Sequence, residues 1–195
     1  MSDETTRLSR TIGLRPQWAF LALIIGCATS LAAAPGAAGA FGAALFVLTL
    51  AIAIIDWKQL VIPDWLNASV LALGLVQAAA LADDGLRWSA VAEALARGVI
   101  FGAVLLAVRA IYLWARGREG LGLGDVKLAG AGGLWVGWTM LPVVIEIAAL
   151  SALAVFLLAP RLAGKPAQWD VRLPFGSFLA PAIWGAWLIE AWLAA

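Results

Sequence analysis

Two short stretches place carboxylates where a carboxylate could do chemistry. One is Gly122-Leu123-Gly124-Asp125-Val126-Lys127, a charged, glycine-containing hexapeptide between long apolar segments. The other is Asp56, which closes an earlier apolar segment in Ile54-Ile55-Asp56-Trp57-Lys58-Gln59-Leu60-Val61-Ile62-Pro63-Asp64. An ionisable group at a membrane helix end is a functional-site candidate by default, because hydrocarbon penalises charge. Two carboxylates brought within a few ångströms resist double ionisation and can share one proton. The ionised member then takes a proton from water as it attacks a carbonyl, while the protonated member polarises that carbonyl and helps the amine leave. Such aspartic-type hydrolysis needs no metal and no covalent intermediate. Gly122 and Gly124 have a physical part in it, since a residue without a Cβ lets backbone or substrate come close to Asp125.

The elements that must position these groups are membrane helices. Of 195 residues, 64% are hydrophobic and only 13% charged, and the apolar residues fall into several runs of spanning length. The expected fold is therefore an all-α, polytopic transmembrane bundle. A net charge of +1 without a basic cluster gives no electrostatic case for nucleic acid. Histidine is absent, and the single Cys27 lies inside the first apolar run. This removes His-based triads, His- or Cys-ligated metal sites and intrachain disulfides. No metal or cofactor is expected, and the chemistry falls to carboxylates. Most of the eleven tryptophans stand near the ends of apolar runs, among them Trp18, Trp57, Trp65, Trp114, Trp135, Trp138 and Trp192, and read as interfacial belts.

Residues 1–16 are polar and carry Arg7, Arg10 and Arg15, so this segment is expected to stay cytoplasmic, ahead of a first span too long for a cleaved signal peptide. The second span, about 41–56, returns the chain inward and ends at Asp56, and Pro63 bars the helix from continuing. The third runs from about Trp65 to Ala82, and the fourth covers about 95–115. Two spans thus separate Asp56 from Asp125, and an even number of crossings brings both to the cytoplasmic face. The apolar stretch after Lys127 holds 33 residues to Pro160, about 50 Å as one helix against a hydrocarbon core of about 30 Å. Pro142 suggests a hairpin of two short spans, about 125–140 and 143–159. With it, ten of the thirteen basic residues lie inside, and without it Arg161, Lys165 and Arg172 move out. The positive-inside rule favours seven spans, with six as the alternative. A final span, about 174–194, opens on Pro174-Phe175-Gly176 at the same face, and reads either as a helix start with Pro near its first position or as part of the site. No internal repeat or linker divides the chain, and 1–195 reads as one membrane-embedded domain.

Taken together, Asp56 with Ile62-Pro63-Asp64, then Gly122-Leu123-Gly124-Asp125-Val126-Lys127, then Pro174-Phe175-Gly176 resemble the type IV prepilin peptidase family of membrane aspartyl proteases. The match covers roughly Phe41 to the C terminus. The resemblance implies that Asp56 and Asp125 are the catalytic pair. It implies prepilin or pilin-like substrates, cut at the cytoplasmic face of the bacterial inner membrane. Larger members of that family carry two Cys-x-x-Cys pairs and also methylate the new N terminus. Neither pair exists here, so the chain is similar to the short, peptidase-only branch of tight-adherence (Flp-type) pili, and cleavage without methylation is expected.

Around the pair, Asp64 reads first as a helix cap and second as a substrate contact. Lys58 and Lys127 either tune the pair, bind lipid phosphate or anchor the cytoplasmic face. Arg109 either snorkels or faces the carboxylates. Pro174, Phe175 and Gly176 are candidates for contacting substrate. Glu146 and Glu190 read as interfacial. The rival functions are an intramembrane aspartyl protease of other substrates, of the presenilin kind, and a non-enzymatic transporter or assembly protein. A transporter would favour ionisable groups at the midplane and a repeated half, and neither is evident.

Overall fold

The computed structural model describes residues 16–162 and 173–194. The expectations for the N-terminal segment and for Lys165 and Arg172 lie outside those residues. Among the described residues there are seven α-helices and no strand: α1 (Pro16–Ala33), α2 (Ala37–Gln59), α3 (Asp64–Leu81), α4 (Arg87–Arg116), α5 (Leu123–Gly132), α6 (Met140–Leu162) and α7 (Gly176–Ala194). Five of them, α2, α3, α4, α6 and α7, are long and apolar enough to cross a membrane, and α1 is a shorter apolar helix.

The breaks between helices follow from local chemistry. After α2, Leu60 takes a left-handed conformation with φ 56° and donates its N–H to the Asp56 carbonyl, which closes the last turn. Pro63, in an extended conformation, then starts α3 at Asp64. The α2–α3 connection is short, and the side chain of Ile62 within it is buried. Two helices, α5 and α6, stand where two short spans were expected, but α5 is shorter than the expected 125–140 and the break lies earlier than Pro142 suggested, over residues 133–139. Pro142 instead sits in the first turn of α6, where a helix has no use for the missing N–H.

Helix α5, with only ten residues, is about 15 Å long, half the hydrocarbon thickness. It packs against α3, α4 and α7, while α7 also packs against α2 and α6. Small residues let it sit this deep. A Cβ on Gly133 would lie 2.8 Å from the Gly98 Cα and 2.9 Å from the Arg97 carbonyl oxygen, so the backbones of α4 and of the turn after α5 touch directly. From Asp125 the hairpin climbs until the Gly137 N–H meets both carboxylate oxygens of Glu190, each at 2.9 Å. Glu190 stands fourteen residues beyond Gly176 on α7, about 21 Å along its axis. The short helix and its turn together therefore rise through much of the bundle's height.

Two tryptophans of the expected belt behave differently from the others. Trp18, Trp65, Trp114, Trp138 and Trp192 are exposed, as a lipid-interface residue would be. Trp135 is 3% exposed and donates its indole N–H to the Val70 carbonyl at 3.0 Å, so it is a core residue joining the α5 turn to α3. Trp57 is half-buried, edge-on to Phe178 with ring centroids 6.0 Å apart. Glu190, expected at an interface, is half-buried and ties the hairpin turn to α7.

Candidate active site

The C-terminal end of α2, the N-terminal ends of α5 and α7, and Ile62 from the α2–α3 connection converge on one point. Both Asp56 and Asp125 are buried there, at 5% and 8% exposure. Gly176 gives a measure of their proximity. A Cβ on Gly176 would stand 2.9 Å from Asp56 Oδ2 and 3.0 Å from Asp125 Oδ1, so those two oxygens are separated by at most the two distances together, about 6 Å. The same Cβ would stand 2.6 Å from Ile62 Cδ1. A side chain here would have to displace these three side-chain ends, and the bare backbone of Gly176 forms part of the site wall.

Each carboxylate has its own support. Asp56 Oδ2 accepts the backbone N–H of Ser177 at 2.8 Å, which sets an acceptor against the positive end of α7. The Ser177 hydroxyl lies 3.2 Å from the same oxygen and 3.0 Å from the Ala53 carbonyl. One hydroxyl proton serves one of these acceptors at a time. The hydroxyl can donate to an ionised Asp56, or it can donate to Ala53 while accepting from a protonated Asp56. Asp125, third residue of α5, turns Oδ2 back to accept the N–H of Gly122 at 3.1 Å, one half of a capping box. Its other oxygen, Oδ1, faces Gly176 and Asp56. Asp125 is thus a helix cap and a member of the pair at once, one oxygen for each.

Around the pair, Gly124 packs against Ile62, where a Cβ would lie 3.2 Å from the Ile62 Cβ. Pro174 and Phe175 are half-buried immediately before Gly176, and their carbonyls accept the first backbone N–H groups of α7. The cap position of α3 is Pro63, and Asp64 is the helix's first residue, an acidic group in its first turn. Its carboxylate pairs with Lys127 Nζ at 2.7 Å, joining α3 to α5 across a surface where both side chains are more than half exposed. Lys58 is exposed at the end of α2. The Arg109 guanidinium turns to the chain that leads into α5. It donates to the Leu121 carbonyl at 2.6 Å and pairs with Glu119 at 2.5 Å.

Two residues near the site were not singled out from sequence. Ser177 is a polar residue at the start of an apolar helix, which is the signal that could have found it. Asn67 lies one turn into α3, is 5% exposed and donates Nδ2 to the Gly124 carbonyl at 3.4 Å. A buried amide three residues after Asp64 is a visible signal only once α3 is known to run beside α5. Among the described residues no group of three or more His, Cys, Asp or Glu side chains is placed to hold a metal ion.

Comparison with known proteins gives a consistent neighbourhood. Residues 43–157 match the model of the type IV leader peptidase family. The chain is 37% identical over 167 residues to a prepilin leader peptidase/N-methyltransferase of Burkholderia pseudomallei, covering 82% of this chain and 48% of that protein. It is 34% identical to the protein of the same name from Pseudomonas aeruginosa, over 74% of this chain and 49% of the relative. With the one from Escherichia coli K12 it shares 32% identity over 82% of this chain and 68% of the relative. The chain spans about half the length of the first two. No solved structure matches.

Proposed function

The chain belongs to the type IV leader peptidase family, and from that premise we propose that it is an aspartic endopeptidase that removes the leader peptide from prepilins or pilin-like subunits, with Asp56 and Asp125 as its catalytic pair. The observation that carries the reading is the convergence of both carboxylates on Gly176, with oxygens at most about 6 Å apart. At that separation two full negative charges repel by about 3 kcal/mol or more at an effective dielectric near 20. The working form is therefore the singly protonated pair. The ionised carboxylate takes a proton from a water whose oxygen attacks the scissile carbonyl carbon. The protonated carboxyl gives its proton to the carbonyl oxygen. As the tetrahedral intermediate collapses, the C–N bond breaks, the leaving nitrogen takes the pair's proton, and a hydroxyl of the intermediate gives its proton back to the pair as the new carbonyl forms, which restores the singly protonated state. Each general acid or base contributes typically about 10²–10⁴-fold.

The same reading places the pair at the cytoplasmic face of the inner membrane. It is supported by Lys58, Arg116, Arg118 and Lys127 at the site end of the bundle, against Arg87 and Arg97 towards the other end. It also includes cleavage without N-methylation, motivated by Cys27 being the sequence's one cysteine, so that no Cys-x-x-Cys pair is formed. The test is to incubate the purified protein with pilin precursors and read the product by mass spectrometry. A precursor shortened by its leader, with a free unmodified N terminus, is expected. An uncut precursor refutes the peptidase reading, and a methyl group added by the purified protein refutes the peptidase-only part. Orientation is checked by single cysteines in a Cys27-free background. Gln59→Cys should label from the cytoplasm, and Asp84→Cys and Thr139→Cys from the opposite side. Thr139→Cys labelling with Gln59→Cys would mean that the α5–α6 hairpin does not cross.

A further inference from the structure

Arg109 is an arginine in the apolar body of α4, seven residues or about 10 Å short of the helix end at Arg116. Its side chain is only 12% exposed, and a guanidinium held that deep in a membrane helix calls for partners that repay its desolvation. The partners lie on the chain that leads into α5. Beyond α4, Gly117 adopts a left-handed φ of 65°, its N–H closes on the Leu113 carbonyl, and the chain doubles back. Residues 117–122 then run back along the face of α4 marked by Arg109 and Tyr112, which are three apart and so share a side of the helix. Gly120 lies on the Tyr112 ring so closely that a Cβ would stand 2.5 Å from its carbons. Glu119 takes one arm of Arg109 at 2.5 Å, and the Leu121 carbonyl takes the other at 2.6 Å.

The second of these bonds reaches the site by a single step. The Leu121 carbonyl and the Gly122 N–H belong to one peptide unit, which is planar and rigid and sends its oxygen and its hydrogen in opposite directions. Arg109 holds the oxygen side, and the hydrogen side donates to Asp125 Oδ2 at 3.1 Å. A cation on the carbonyl also polarises the amide and strengthens its N–H as a donor. We propose that Arg109, held in place by Glu119, is a positioning residue that orients the Asp125 carboxylate through the Leu121–Gly122 peptide plane. This rests on the peptidase reading, because it assigns Arg109 a part in presenting one member of the pair. It differs from an ordinary surface ion pair. The exposed Lys127–Asp64 bridge joins helices near the site without touching the peptide that holds Asp125.

The proposal separates two measurements that a purely structural role would move together. Hydrogen exchange reads whether the loop is held, and the split between kcat and KM on a pilin precursor reads whether holding it matters to the chemistry. In Arg109→Gln, amides of residues 119–125 should exchange about tenfold faster or more, and kcat should fall by about tenfold or more with KM within about twofold, since a lost charge-assisted bond shifts orientation rather than binding. Arg109→Lys keeps a cation that can hold one partner but not both in the fork geometry, and should recover part of kcat. Glu119→Gln should fall between the wild type and Arg109→Gln. Arg97→Gln, which removes an arginine paired with Glu93 towards the opposite end, should leave kcat unchanged and controls for general loss of an ion pair. Unchanged exchange in Arg109→Gln overturns the proposal, and so does faster exchange with an unchanged kcat. A proportional loss of folded protein with the specific activity of the remainder intact overturns it as well. If the wild type cuts no precursor, the functional reading fails and the positioning role fails with it, whereas the exchange data alone report whether the loop is latched.

Discussion

Asp56 and Asp125 arrive at the same point by opposite routes. Asp56 lies in the last turn of a 23-residue helix, and its partner Ser177 is 121 residues away in sequence, at the start of α7. Asp125 lies in the first turn of a ten-residue helix and is held by Gly122, three residues before it. One carboxylate therefore depends on how two long helices dock, and the other on how a loop folds locally. Substitutions at Ser177 should act on Asp56 without disturbing the loop, and substitutions in the loop should act on Asp125 without disturbing α7.

The sharpest way to break this arrangement is at the glycine where the two routes meet. Gly176→Ala puts a methyl group within about 3 Å of both carboxylates and of Ile62. Since displacements near 1 Å can cost about 10²-fold, cleavage should fall by about 100-fold or more while insertion and abundance stay normal. Near-normal cleavage would mean that the carboxylates are not held around this point. Ser177→Ala is a gentler test on the Asp56 side. It keeps the backbone N–H and removes the hydroxyl, and a bond to a charged group is worth about 1.5–3 kcal/mol. A kcat about tenfold lower is expected, with Ser177→Thr close to wild type. An unaffected Ser177→Ala would leave the backbone N–H as the sole support that matters. The smallest effect belongs to the pair outside the two routes. Lys127 and Asp64 are 53% and 75% exposed, and such bridges are worth about 0–1 kcal/mol. Asp64→Asn and Lys127→Gln should each keep activity within about fivefold, checked by initial rates. Complete inactivity of Asp64→Asn would move the first catalytic carboxylate eight residues along the chain.

The contrast also explains how far the sequence could be read. Helix positions followed from apolar runs and breakers, and the even number of crossings between Asp56 and Asp125 put them on one face from the sequence pattern alone. Pro142 misled by a few residues, because a proline is as much at home in a helix's first turn as in a break. Trp135 misled because a tryptophan near an apolar boundary looks the same whether it faces lipid or a buried carbonyl such as that of Val70. The local support of Asp125 was legible, since Gly122 and Asp125 have cap spacing. The support of Asp56 was not, because nothing in local pattern says which helix start will dock against it. Arg109 was noticed as an ionisable group in a span, yet its partners Glu119 and Leu121 became visible only when Gly117 reversed the chain.

The central claim is that the two converging carboxylates do the cleavage as a unit, and replacing each by asparagine tests it most directly. Asparagine keeps the shape and removes the titratable proton. With Asp56→Asn and Asp125→Asn each verified for insertion and abundance, rates of pilin-precursor cleavage should fall by about 100-fold or more in both, and the double variant should be little worse than either, because members of a catalytic unit are not additive. Cleavage near the wild-type rate by either single variant would contradict the paired-carboxylate account.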